Sequence, residues 1–178
     1  MQTRINWTER KFDFSFPTGI YPELIERLRG APPRLEEHCH SLAGSILTRQ
    51  QDGRWSMQEN AGHLLDLETL VQQRIEEYRS GSTALHAADM SNRKTYEANH
   101  NDLPIDSLLS AFRRERSISV NTLEELPAEV FSRVAKHPRL NVDMRLVDML
   151  FFQAEHDDYH LTRISELRRA LSEAERLL

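Results

Sequence analysis

One stripe near the C-terminus limits what this chain can fold into. Met149, Gln153, His156, His160, Ile164, Leu167 and Leu171 recur at steps of three and four. That is the period of one face of an α-helix. The stripe is apolar at both ends and polar in the middle. Polar groups on a core-facing stripe are costly unless they are hydrogen-bonded or ligated. His156 and His160 stand four residues apart in His156-Asp157-Asp158-Tyr159-His160. On a helix both imidazoles leave one face, one turn apart. Two nitrogens so placed can reach one divalent ion; the plainer alternative is a surface pair.

The rest of the chain supplies partners for such a helix. Residues 1–19 read as an extended arm, with Phe12, Phe14 and Phe16 alternating so that three rings share a side. A first helix opens near Tyr21-Pro22, with Pro suited to the first turn. Gly30-Ala31-Pro32-Pro33 kinks or splits it, and the apolar pattern resumes through Leu35, Leu42, Ile46 and Leu47. Within it, His38-Cys39-His40 has a spacing that points neighbours apart, so it reads as an ordinary helix face. Asp52-Gly53 makes a turn. Ser56 and Glu59 then form a capping-box pattern at the head of a second helix, which runs to about Arg79 and ends in Ser80-Gly81-Ser82. His63 lies at the edge of its stripe, with Glu59 and Asp66 on the same face. Residues 81–103, containing Arg93 and Tyr96, read as a long loop able to cover one end of the fold. A third helix starts near Pro104 and carries Phe112, Arg116 and Val120 on its apolar stripe. An inward Arg needs an anionic partner, unless its stem snorkels to solvent. Residues 127–142 read as a linker with a short helical turn, and the last helix begins near Asn141.

Four periodic segments without a hairpin signal predict an all-α bundle, as one helical domain over 1–178. The 178 residues are 39% hydrophobic and 29% charged, a soluble globular composition. A net charge of −5 argues against nucleic acid as a main partner. No apolar run suggests a membrane span or a signal peptide. Cys39 is the only cysteine, which fits a reducing cytoplasm.

His63 from a second helix joins the His156–His160 pair as a third candidate ligand. Three neutral imidazoles with an open position suit one divalent ion, Zn²⁺, Ni²⁺ or Fe²⁺, in the catalytic rather than the closed structural pattern. Glu59, Asp66 and Asp157 are candidate acceptors for the outer ring nitrogens and candidate general bases. A zincin is disfavoured because Asp157 stands where its Glu would be, and no further His follows His160. A di-iron bundle needs Glu-x-x-His from two helices plus two further Glu; Glu37-His38-Cys39-His40 matches once, and no convincing second copy stands on a helix.

The pattern Trp55-Ser56-x-x-Glu59-x-x-x-His63-Leu64-x-Asp66-x-Glu68, followed by His156-Asp157-x-x-His160-x-x-x-Ile164 and accompanied by Phe112-x-x-x-Arg116-x-x-x-Val120, resembles the DinB/YfiT-like superfamily. The resemblance runs over most of the chain. It implies a four-helix bundle with a long crossover connection, and one divalent metal held by His63, His156 and His160, open to a thiol or water. Relatives include bacillithiol- or mycothiol-dependent S-transferases, a maleylpyruvate isomerase and metal-dependent hydrolases. Tyr159 departs from the expected His or small residue, and its hydroxyl is a candidate for substrate contact. Three functions follow as expectations: a metal-dependent thiol S-transferase, a metal-dependent hydrolase, and a non-enzymatic stress- or damage-response protein with a structural metal. The expected partner is a small molecule, such as a low-molecular-weight thiol whose carboxylates Arg116 or Arg93 would bind; a homodimer is compatible with this reading.

Overall fold

The structure, a computed structural model, describes residues 4–176. The first three residues of the expected arm and the last two of the chain lie outside the described residues. Four long helical segments form a bundle. The first is split into α1 (Tyr21–Arg29) and α2 (Ala31–Cys39); the others are α4 (Met57–Ser80), α6 (Ile105–Glu124) and α7 (Leu146–Arg176). Helix α4 packs on α6 and α7, and the α1–α2 segment packs on the same two. The first segment and α4 thus occupy one diagonal, α6 and α7 the other. The connections 40–56 and 125–145 each carry the chain across a diagonal, the long crossovers of an unusual bundle.

Local chemistry explains the boundaries. Pro32 has no N–H for the carbonyl of Leu28, so the first segment breaks where expected. It does not continue to Leu47: α2 ends at Cys39, Ser41 turns at φ 61°, and Ile46 and Leu47 pack from a separate short helix, α3 (Gly44–Leu47). The Ser56–Glu59 capping box forms reciprocally at the head of α4, and Gly81 closes it in the left-handed conformation.

One strand pair stands within the otherwise helical fold. Residues expected as linker form β1 (Val134–His137) and β2 (Val142–Arg145), an antiparallel hairpin pairing Val134 with Arg145 and His137 with Val142. The burial of Val134–His137 alternates, with Ala135 and His137 inward. Asn141, at φ 54°, turns the chain between the strands. Thr83–Leu85 adds backbone hydrogen bonds to Lys136. Helix α7 consequently starts at Leu146, not near Asn141.

The apolar core falls into two clusters. One joins α1 to the C-terminal half of α4, the hairpin and the start of α7. The other joins α2, α3, the N-terminal half of α4 and the rest of α7. The arm packs on the first: Phe12, Phe14 and Phe16 are each half-buried, and Arg145 bonds to the carbonyls of Phe14 and Phe16. Polar groups of α4, α6 and α7 lie between the clusters.

Candidate metal centre

The side chains of His63, His156 and His160 meet. Each offers a ring nitrogen, and these lie within 4.8 Å of one another. The ring centroids are 5.3 Å apart for His63–His156, 4.7 Å for His63–His160 and 4.6 Å for His156–His160. All three residues are buried. Burial is the main cause that holds His63 and His156 down at about 3, reinforced by His156 on the former and by Arg116 and Arg139 on the latter. The same desolvation, with its two neighbours, keeps His160 well below the ordinary value. All three rings are therefore neutral near pH 7, the form that ligates metal.

Outer contacts aim two of the rings. The Thr95 hydroxyl donates to Asp66 Oδ2 at 2.9 Å, so its lone pair is left for His63 Nδ1–H at 3.1 Å. The Asn60 amide donates to the carbonyls of Trp55 and Ser56, which turns its oxygen to His160 Nδ1–H at 2.9 Å. Both contacts leave Nε2 as the lone-pair nitrogen. His156 Nδ1 is buried with no partner among the described residues. Three neutral imidazoles, two of them oriented from behind, fit a borderline divalent ion of the Zn²⁺, Ni²⁺ or Fe²⁺ kind. Cys39 is no rival donor, because burial pushes its thiol up to about 12.

Asp66 also accepts from His100 Nε2 at 2.8 Å. Burial works against its ionisation, but the hydrogen bonds from His100 and Thr95 outweigh that and hold its pKa down. His100 packs flat on α4 at Gly62, where an added Cβ would lie 2.2 Å from the imidazole. Only glycine fits there. Thr95 and His100 come from α5 (Arg93–Glu97) and the single turn His100–Asp102, each entered through an asparagine in the left-handed region, Asn92 and Asn99. Asn60, Thr95 and His100 were not legible as site residues. Their one signal was a pair of turn-forming asparagines seven residues apart.

The triad borders a cavity of about 590 Å³, a size typical of small-molecule sites. Trp55 flanks His63 at 4.8 Å and Trp7 of the arm flanks His156 at 5.0 Å. Tyr159 lines the cavity, with Arg4 stacked 3.8 Å over its ring.

Other anticipated residues are engaged elsewhere. Glu59 caps α4 and accepts from Gln50. Asp157 does not face the triad, although it follows His156. It binds Arg116, whose expected role toward a substrate carboxylate needs correction. Arg116 is buried to 1% exposure and uses all five N–H donors. Two go to Glu68 Oε1, at 2.9 and 2.6 Å, two to Asp157, at 2.5 and 3.2 Å, and one to the Leu28 carbonyl that Pro32 leaves free. No donor remains for a ligand. Arg93 is exposed on α5 and lies outside the cavity wall.

A model of the DinB superfamily matches residues 27–164. The fold is similar to YfiT from Bacillus subtilis, described as a probable metal-dependent hydrolase with an unusual four-helix bundle topology. The TM-score is 0.79 at 20% identity, over 92% of this chain and 94% of that one. It is also similar to a mycothiol-dependent maleylpyruvate isomerase, with TM-score 0.65 at 10% identity, over 83% of this chain and 60% of that one. No curated protein sequence matches. No helix among the described residues is long and apolar enough to cross a membrane. The family match spans most of the chain, and with it the chain belongs to the DinB superfamily.

Proposed function

We propose that His63, His156 and His160 hold one divalent ion, and that the protein is a metal-dependent S-transferase joining a low-molecular-weight thiol to a small electrophile. A bound ion would supply a Lewis-acidic centre favouring the thiolate, the nucleophilic form of a thiol. The chain's own residues do the rest. The triad orients the sulfur end, Trp7 and Trp55 wall off water on two sides, and Tyr159 offers a hydroxyl to the substrate. In the transfer a C–S bond forms, the leaving group departs with its bonding pair, and the thiol proton goes to solvent.

One observation carries the preference over hydrolysis. A hydrolase of this kind uses a general base beside the attacking water. Each candidate carboxylate is committed: Glu59 to the helix cap, Asp157 to Arg116, Asp66 to Thr95 and His100, and, on the cavity wall, Asp89 to Ser91 and the Arg93 N–H and Glu166 to Arg4 and Arg163. A thiol that is acidified on binding has no need of such a base. The maleylpyruvate isomerase of similar fold is mycothiol-dependent, which lends the reading support by analogy.

The test is a paired assay on metal-loaded protein, using an electrophile panel with and without an added small thiol, and an ester and amide panel without thiol. Thiol-dependent loss of electrophile that disappears in His160→Ala is expected. Turnover of the ester or amide panel without thiol, lost in the same variant, would favour the hydrolase reading instead.

A further inference from the structure

The far side of the same cavity carries positive charge that no carboxylate among the described residues hydrogen-bonds or ion-pairs; Glu77 attracts Arg74 only through space. Arg74 of α4 and His137 and Arg139 of the hairpin line the cavity wall. His137 is 1% exposed. Its Nδ1 accepts from the Leu140 N–H, so the proton sits on Nε2, and that buried N–H has no partner among the described residues. Arg139 Nη2 is likewise buried without a partner. The Arg139 guanidinium lies 5.4 Å over the Phe152 ring and 5.9 Å over the Trp7 ring, and makes no hydrogen bond or ion pair among the described residues. Arg74 is nearly fully buried and, among the described residues, reaches only the His86 carbonyl and the Met149 sulfur. The two carboxylates on the cavity wall, Asp89 and Glu166, are engaged by other partners. Asp89 accepts from Ser91 and the Arg93 backbone, and Glu166 pairs with Arg4 and Arg163.

Buried donors without acceptors are rare and costly. Two cations and an imidazole N–H around one void ask for an anion, and guanidinium binds a carboxylate with particular strength. The void is one indole away from the triad, since Trp7 touches both ends: its ring centroid is 5.0 Å from that of His156 and 5.9 Å from the Arg139 guanidinium. We propose that Arg74, His137 and Arg139 form an oxyanion subsite that receives the carboxylate end of the small molecule whose other end lies at the triad. The subsite stands without any metal; only its link to the reacting molecule rests on the function proposed above. The substrate or thiol is then acidic, and Arg74 with the hairpin residues, not Arg116, reads its charge.

The test uses metal-free protein and two isosteric probes, succinate and its neutral diamide, succinamide, titrated by calorimetry with Trp fluorescence in parallel. Succinate is expected to bind and succinamide to bind at least tenfold more weakly. Arg139→Gln should weaken succinate at least tenfold, Arg139→Lys should recover part of the loss, and His63→Ala should change it less than twofold. Arg139 makes no hydrogen bond among the described residues, so its variants should melt with the wild type; should they not, the wild-type comparison of the two probes decides alone. Equal binding of the two probes, or unchanged succinate binding in a folded Arg139→Gln, overturns the subsite. Tighter binding of inorganic phosphate than of succinate overturns the carboxylate assignment. Succinate binding in a protein without thiol-dependent turnover would sustain the subsite while the proposed function fails.

Discussion

Asp157 follows His156 on the same helix, yet the two side chains end in opposite kinds of place. Asp157 enters a closed ionic cluster with Arg116 and Glu68, in which every guanidinium N–H has an acceptor, Ser119 donates to Glu68 and Gln153 donates to Asp157. His156 enters an open group of three imidazoles beside a cavity, and its Nδ1 has no partner. Both clusters are buried and both draw on α4 and α7. What separates them is satisfaction. The first cluster is complete as protein and holds α4, α6 and α7 together. The second has ligand capacity left over. A buried polar residue points to a ligand only when the protein leaves its hydrogen-bonding capacity unused.

The largest effect should come from breaking the closed cluster. Arg116→Met leaves Glu68 and Asp157 as neighbouring buried carboxylates without a cation. Burial, together with Asp157, already pushes the Glu68 pKa up despite Arg116. A loss of about 3–5 kcal/mol is expected, measured by urea unfolding of metal-free protein. His63→Ala, in the open cluster, should cost much less in the same experiment.

The open cluster also sets a pH response of metal-free protein. The unfolded chain protonates its histidines near about 6.5, whereas the folded protein protonates His63 and His156 only at about 3. The folded pKa is depressed, so the stability contributed is full above about 6.5 and is lost as pH falls from there toward 3. Unfolding free energy should decline across that window. The decline should be shallower in a His63→Ala/His156→Ala double variant. The same shift implies that metal occupancy persists below pH 6.5, instead of falling off at the ordinary imidazole value.

A smaller effect tests the support behind the open cluster. Gly62→Ala drives a methyl into His100 and should cost about 1–3 kcal/mol. In a His100→Ala background the same change should be nearly neutral, a coupling that a double-mutant cycle reads directly. Smallest for the fold is Thr95→Val, which removes the acceptor from His63 Nδ1–H. Metal affinity should fall about 10–100-fold with little change in melting temperature.

The sequence made the triad legible because its geometry is local. His156 and His160 lie one helical turn apart, and His63 follows a capping box that fixes the register of α4. The four long segments were legible for the same reason, each showing the 3.6-residue period. The hairpin was not, since Val134–His137 and Val142–Arg145 are too short for alternation to stand out, and their pairing is with each other and with Thr83–Leu85. Nor were the second partners. Thr95 reaches His63 and His100 reaches Asp66 across more than thirty residues, through turns that leave no periodic trace. Arg116 shows the deeper limit. Its place on an apolar stripe demanded an anion, but whether that anion is Asp157 or a substrate depends on how helices pack across a diagonal, which no single helix encodes.

Metal titration of the triad bears most directly on the account. Protein stripped with chelator would be titrated with Zn²⁺ by competition against a chromophoric chelator, for wild type and for His63→Ala, His156→Ala, His160→Ala and, as a control, His38→Ala. The account predicts one ion per chain for the wild type and for His38→Ala, affinity reduced by at least a hundredfold in each triad variant, and helical circular dichroism preserved throughout. A His156→Ala protein that keeps its helices and still binds one ion with wild-type affinity would contradict it.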